Sequence, residues 1–254
     1  MANQTQDFTG KVAIVTGGAS GIGEAVAQAI AARGGQVVIA DIDQGDAERV
    51  VTAIGEAGGS AKAIRTDVAD AAAVEAMVQF AVESYGGLDV AINNAGIGGP
   101  LSATGEYPVD GWRRVIDINL SGVFYGMRYQ IPAMLARGGG AIVNVASILG
   151  YVGTPNSPAY VAAKHGVLGL TKAAALEYAT RNIRINSVGP GYIETPLLTS
   201  TLDDAALQAI AGMHPVKRLG TSEEVANLIA FLASDAASFI TGSYHLVDGG
   251  YTAQ

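Results

Sequence analysis

Short runs of consecutive apolar residues alternate along the chain with longer stretches whose apolar positions recur at helical spacing. Lys11–Thr16 reads as a buried strand, followed by a glycine-rich turn and a helix over residues 21–33. A second strand at 36–40 precedes a helix at 44–57, and a third at 61–65 precedes a helix from Asp70 to Tyr85. The fourth strand is predicted at 88–92 and is followed by one long helix at 109–136. Strands at 141–146 and 182–188 flank a helix at 157–180. A loosely punctuated helical stretch at 196–213, a helix at 222–233 and a last strand at Tyr244–Val247 complete the pattern. Strands with no polar face are buried on both sides, and helices between them make right-handed βαβ crossovers. The expectation is a doubly wound α/β sheet of about seven parallel strands flanked by helices. No linker, composition shift or repeat divides the chain, so residues 1–254 read as one domain.

Composition removes several classes of function. Hydrophobic residues make up 49% of the 254 positions and charged residues 15%, which supports a sizeable core and argues against disorder. The net charge is −8 and no Lys/Arg cluster stands out, so the electrostatic footprint of a nucleic-acid binder is missing. With no cysteine, disulfides, thiolate catalysis and cysteine zinc sites are excluded. His165, His214 and His245 lie far apart and lack ligand spacing, so no metal site is expected. Met1 to Thr9 is polar and does not look like a signal peptide, and no apolar run approaches the roughly 20 residues of a membrane helix. The expected location is the cytoplasm.

In sheets of this kind ligands bind beyond the carboxyl ends of the strands. Thr16-Gly17-Gly18-Ala19-Ser20-Gly21-Ile22-Gly23 lies there, between the first strand and the first helix. Missing side chains let the backbone approach a pyrophosphate, and a helix N-terminus offers free N–H groups and partial positive charge. Strand before and helix after favour a dinucleotide over a plain tight turn. Asp41 ends the second strand, twenty residues past Gly21, where a carboxylate accepts from both adenosine ribose hydroxyls and repels a 2′-phosphate. Ile42 and Asp43 follow it and the glycine turn carries Ser20 rather than a base, so NAD is favoured over NADP. The other reading of Asp41 is a helix N-cap. Asp67, with Val68 after the third strand, stands where it meets the adenine or caps the next helix; the sequence leaves both open.

Tyr160 and Lys164 are four apart and share a helix face, and Ser157-Pro158 marks that helix's start. A phenol is too weak an acid to serve as a base near neutral pH, and a neighbouring ammonium favours its phenolate. Ser147 follows the fifth strand, within reach of a substrate oxygen. Taken alone, the Tyr-Lys pair also fits an ordinary amphipathic helix.

Thr16…Gly21-x-Gly23, Asn93-Asn94-Ala95-Gly96, Asn119, Ser147, Tyr160-x-x-x-Lys164 and Pro190-Gly191 occur together in this order at strand ends. The set resembles the short-chain dehydrogenase/reductase family, over residues from about 10 to 250, and implies a Rossmann-type fold and an NAD-dependent interconversion of a secondary alcohol and a ketone. The resemblance implies that Tyr160 exchanges a proton with the substrate oxygen, Lys164 lowers its pKa and binds the nicotinamide ribose, and Ser147 positions the oxygen. Asn119 would hold a water linking Lys164 to solvent. Gly17, Ser20, Gly21, Ile22, Gly23, Asp41, Ile42, Asp67, Val68, Asn94, Ala95 and Gly96 are expected to contact the cofactor, with Pro190, Gly191, Ile193 and Thr195 around the nicotinamide.

Ile148, Leu149, Asn156 and Tyr192 are expected to line a fairly apolar substrate pocket. Residues 194–214 resemble the family's substrate lid, and apolar helix faces together with the resemblance imply a homotetramer. Rival readings are a 3-oxoacyl thioester reductase, against which Asp41 and the acidic charge both count, a sugar or polyol dehydrogenase, and a catalytically silent dinucleotide-binding protein.

Overall fold

The structure is a computed structural model and describes residues 7–200 and 202–253. Most of the polar N-terminal stretch, one position of the 196–213 segment and the final residue therefore lie outside the described residues.

Seven strands form one parallel sheet: β1 (Val12–Thr16), β2 (Gln36–Asp41), β3 (Ser60–Arg65), β4 (Val90–Asn93), β5 (Gly140–Val145), β6 (Ile183–Pro190) and β7 (Tyr244–Val247). Their spatial order is β3-β2-β1-β4-β5-β6-β7. Ile14 pairs with Val38 of β2 on one side and with Ala91 of β4 on the other. The order of the strands turns around between β1 and β4, and the crevice that opens at such a point is where doubly wound sheets hold ligands.

The layers follow from side-chain alternation along the strands. On β1, Ala13 and Val15 pack into the layer built by α1 (Gly21–Ala32), α2 (Gln44–Glu56) and α9 (Ser222–Ala233). Val12 and Ile14 point the opposite way, toward α3 (Ala71–Tyr85), α5 (Gly122–Arg137) and α6 (Pro158–Tyr178). All five residues of β1 are buried, whereas the edge strands β3 and β7 are partly exposed. Burying an aliphatic side chain is worth roughly 1.5–3 kcal/mol, so the central strands anchor the sheet.

The expected helix at 109–136 is interrupted. It runs as α4 (Val109–Ile116), a π turn over Asp117–Ser121, and then α5. Inside the π turn Asn119 is fully buried, and its amide accepts from Ile97 N–H and donates to Ile97 C=O, each at 2.8 Å. Those long-range bonds reward a local unwinding that periodicity does not reveal, and such single-turn π bulges occur frequently at functional sites. The segment at 196–213 is likewise two helices, α7 (Pro196–Thr199) and α8 (Asp204–Met213), with Asp203 capping the second. Ser157 stands at the N-cap of α6 as expected, but its side chain makes no cap bond; Pro158 opens that helix. Among the described residues no helix is long and apolar enough to cross a membrane.

Candidate active site

The glycine turn and the end of β4 are built into each other. Thr16 Oγ1 accepts from the backbone N–H groups of Asn94 and Ala95, at 3.0 and 3.1 Å. The Asn94 amide donates to the carbonyls of Thr16 and Gly17, at 2.9 and 3.0 Å. Gly17 and Gly21 have φ of 61° and 53°, which side-chain-bearing residues rarely adopt. A Cβ on Gly23 would overlap the Gly17 carbonyl oxygen, so the first helix turn presses against the loop only because that atom is missing. Ser20 sits at the N-cap of α1 with its hydroxyl unused by the helix. A shallow backbone cradle against a helix N-terminus suits a pyrophosphate, so these residues fit a dinucleotide.

The helix-cap alternative for Asp41 is removed by the geometry. Asp43 caps α2 by accepting from Asp46 N–H at 3.0 Å. Asp41 instead accepts from Ala19 N–H in the glycine turn at 3.0 Å and from Asp43 N–H at 3.1 Å. The same holds for Asp67: Asp70 caps α3, while Asp67 accepts from Ala69 N–H in a tight turn. Ile42 is exposed beside Asp41, Ile22 is half-buried in the first turn of α1, and Val68 is buried beside Asp67.

Tyr160, Lys164 and Ser147 meet one strand further along. Lys164 is buried, donates to the Val145 carbonyl at 2.8 Å, and places its ammonium 5.5 Å from the centre of the Tyr160 ring. Burial pulls the Lys164 ammonium down to about 8. Burial pushes the Tyr160 phenol up, and a hydrogen bond with Ser147 pulls it partly back. Ser147 lies two residues past the end of β5, and its hydroxyl accepts from Leu149 N–H at 3.1 Å. Gly96 lies between Asn119 and Lys164: a Cβ there would come 3.2 Å from Asn119 Oδ1 and 3.7 Å from Lys164 Nζ. The tight approach explains glycine at this position. Beneath it, a buried network joins Asn93, Gln130, Asn144 and Thr171 through bonds of 2.8–3.1 Å and locks β4 and β5 to α5 and α6.

Pro190 ends β6, and Gly191 leads on to Ile193, which forms a bridge with Gly220. Thr195 caps the start of α7 in position, and an added Cβ on Gly21 would come 3.1 Å from its methyl group, so the two ends of the cradle meet there. Tyr192 is half-buried and stands edge-on to His214 and Tyr251. Ile148 and Leu149 are buried in the turn after Ser147, and Asn156 is exposed with φ of 64°.

Four residues escaped the sequence reading. Tyr244 donates to the Ser147 carbonyl at 2.6 Å, His214 Nε2 accepts from Tyr192 N–H at 3.2 Å, Tyr251 joins their aromatic cluster, and Arg49 donates to the Ala19 carbonyl at 2.8 Å. Tyr244 and His214 each have a glycine partner in the chain, since a Cβ on Gly191 would come 2.7 Å from His214 Nε2. Gly189 on the neighbouring strand makes room for the Tyr244 ring, since a Cβ there would collide with its phenol.

A family model described as enoyl-(acyl carrier protein) reductase matches residues 17–252. Cyclohexanol dehydrogenase of Acinetobacter sp. (strain SE19) is 53% identical over 247 residues, covering 97% of each chain. Cis-4-hydroxycyclohexanecarboxylate dehydrogenase of Sinomonas cyclohexanicum is 50% identical over 246 residues, covering 97% of this chain and 98% of that one. The crystal structure of levodione reductase superposes with a TM-score of 0.94 at 38% identity, covering 97% of this chain and 99% of that one. With motifs, topology and relatives in agreement, the chain belongs to the short-chain dehydrogenase/reductase family, oxidoreductases that interconvert CH–OH and carbonyl groups with a nicotinamide dinucleotide.

Proposed function

We propose that the chain is an NAD(H)-dependent dehydrogenase of small alicyclic secondary alcohols, with Tyr160 as acid/base. The observation that carries this reading is the buried Lys164 ammonium 5.5 Å from the Tyr160 ring at the carboxyl end of β5, two residues before Ser147 in the turn that follows that strand. The ring alcohols named for the relatives supply the substrate class.

When bound, the dinucleotide supplies the hydride acceptor or donor. The chain supplies orientation and proton handling. In the oxidative direction Tyr160 takes the hydroxyl proton of the alcohol, and in the reductive direction it returns one to the ketone oxygen. The Lys164 ammonium lowers the energy of the phenolate. Ser147 donates to the substrate oxygen and holds it near the phenol; positioned proton transfer of this kind contributes roughly 10²–10⁴-fold. The Asn119 amide holds the Ile97 backbone and fixes the turn at Gly96-Ile97 beside Lys164, where a water bound at Asn119 would link Lys164 to solvent. The bond from Ala19 N–H aims Asp41 at the cradle, which supports a carboxylate receiving the ribose hydroxyls and favours NAD.

The half-buried Tyr192 ring forms part of the substrate wall, with Asn156 at its outer edge, while Ile148 and Leu149, buried in the turn after Ser147, back that wall from within. Residues 194–214, carrying α7 and α8, close over it as the lid. Exposed Phe124 on α5, Leu176 on α6 and Phe239 before β7 support a homotetramer that covers them.

The test is a panel of cyclohexanol, an acyclic secondary alcohol, a polyol and a 3-oxoacyl thioester, each with NAD(H) and NADP(H). Preferential turnover of cyclohexanol with NAD is the expected result. Turnover of the thioester or polyol alone overturns the substrate class.

A further inference from the structure

The sequence places no basic residue beside Asp41, yet the fold brings one to the same peptide group. Ala19 is held from both sides: its N–H donates to Asp41 at 3.0 Å, and its carbonyl accepts from Arg49 Nη2 at 2.8 Å. Arg49 reaches in from α2, and its guanidinium is half-exposed. A guanidinium at the edge of an adenosine ribose site is the group best suited to grip a 2′-phosphate, because its fork matches phosphate oxygens. In this chain the fork is already filled. Glu24, in the first turn of α1, takes it bidentately, Nη1 to Oε1 at 2.9 Å and Nη2 to Oε2 at 3.0 Å. Asp46 lies 3.8 Å from Nε on the remaining side.

We infer that Glu24 is a specificity determinant for the dinucleotide: by occupying Arg49 it keeps a 2′-phosphate from finding a cation, and so reinforces the repulsion exerted by Asp41. This rests on the NAD reading of Asp41 and extends it to a residue that need not touch the ligand. Two devices act on one phosphate: Asp41 excludes it, and the Glu24–Arg49 pair withholds the group that would bind it. The second device predicts a coupling that charge count alone does not. Removing Glu24 helps a 2′-phosphate only while Arg49 is present.

Calorimetric binding of 5′-AMP and adenosine 2′,5′-bisphosphate tests this without turnover. The wild type is expected to favour 5′-AMP. Glu24→Gln is expected to tighten the bisphosphate about threefold to tenfold relative to 5′-AMP, the scale of releasing one exposed ion pair toward a phosphate. Asp41→Asn with Glu24→Gln is expected to give a larger gain than either alone. Adding Arg49→Met to Glu24→Gln is expected to erase the gain. A gain that survives Arg49→Met, or no gain from Glu24→Gln in a wild type that favours 5′-AMP, overturns the role of Glu24. A wild type that already favours the bisphosphate overturns the NAD reading itself.

Discussion

The Tyr244 hydroxyl donates to the main-chain carbonyl of Ser147 at 2.6 Å, tying the last strand of the sheet to the turn that carries the site's serine. Burial, with Asp248 and Tyr160 nearby, pushes the Tyr244 phenol up, so it stays a donor across the working pH range. Tyr244→Phe keeps the ring beside Gly189 and removes only this bond. A lost hydrogen bond of this kind costs about 1 kcal/mol of stability. The expected functional effect is about a tenfold fall in kcat, because small displacements of a positioning group are costly to rate. KM should move little. Steady-state kinetics alongside thermal unfolding check this; a lowered Tm with unchanged kcat would make Tyr244 purely structural.

Lys164 links activity to stability. Its ordinary value is 10.5, and burial lowers it to about 8 in the folded chain. Between these values the unfolded chain binds the extra proton, so stability rises with pH from about 8 toward 10.5. Below 8 both states hold the ammonium, and the folded state bears its full burial penalty, on the order of 3 kcal/mol. Lys164→Met should abolish turnover and flatten this rise. Thermal melts of both proteins from pH 7.5 to about 10.5 test it; equal slopes would contradict the burial effect.

The phenol of Tyr160 is pushed up by burial, so its deprotonated form grows as pH rises. Alcohol oxidation should therefore climb with pH and ketone reduction fall. Initial rates in both directions over a common pH series measure this, and parallel profiles in the two directions would speak against a single shared acid/base.

The bond from Tyr192 N–H to His214 Nε2 closes the base of the segment that carries α7 and α8. His214 is buried, and among the described residues its Nδ1 has no hydrogen-bond partner. Nε2 must be unprotonated to accept. His214→Leu keeps bulk and loses the acceptor, so amide exchange over 196–213 should accelerate and substrate KM rise several-fold, consistent with a loosened lid. Unchanged exchange would show that the segment is held elsewhere.

Most of this architecture was legible from the chain because its signals are local. Strands buried on both faces read as apolar runs, and β7 was found at its observed ends, Tyr244–Val247. The glycine turn, Tyr160 and Lys164 occupy fixed spacings that the strand–helix grammar interprets. What was missed depends on distant partners. The π turn at Asn119 exists because Ile97 accepts and donates across 22 residues, and no periodicity encodes that. Asp41 also fitted an N-cap by type, and only coordinates show that Asp43 takes that place while Asp41 turns to the glycine turn. Arg49 sits in the chain as an ordinary helix-surface residue, and its meeting with Ala19 follows from how α2 packs over the cradle.

The role of Tyr160 is tested by oxidation of cyclohexanol with NAD by the wild type and by Tyr160→Phe, followed at the absorbance of the reduced nicotinamide. The phenylalanine keeps the ring in place over Lys164 and removes only the proton-carrying oxygen. Cofactor binding should persist while kcat falls by about 10²–10⁴-fold. Turnover near the wild-type rate in the variant would contradict Tyr160 as the acid/base.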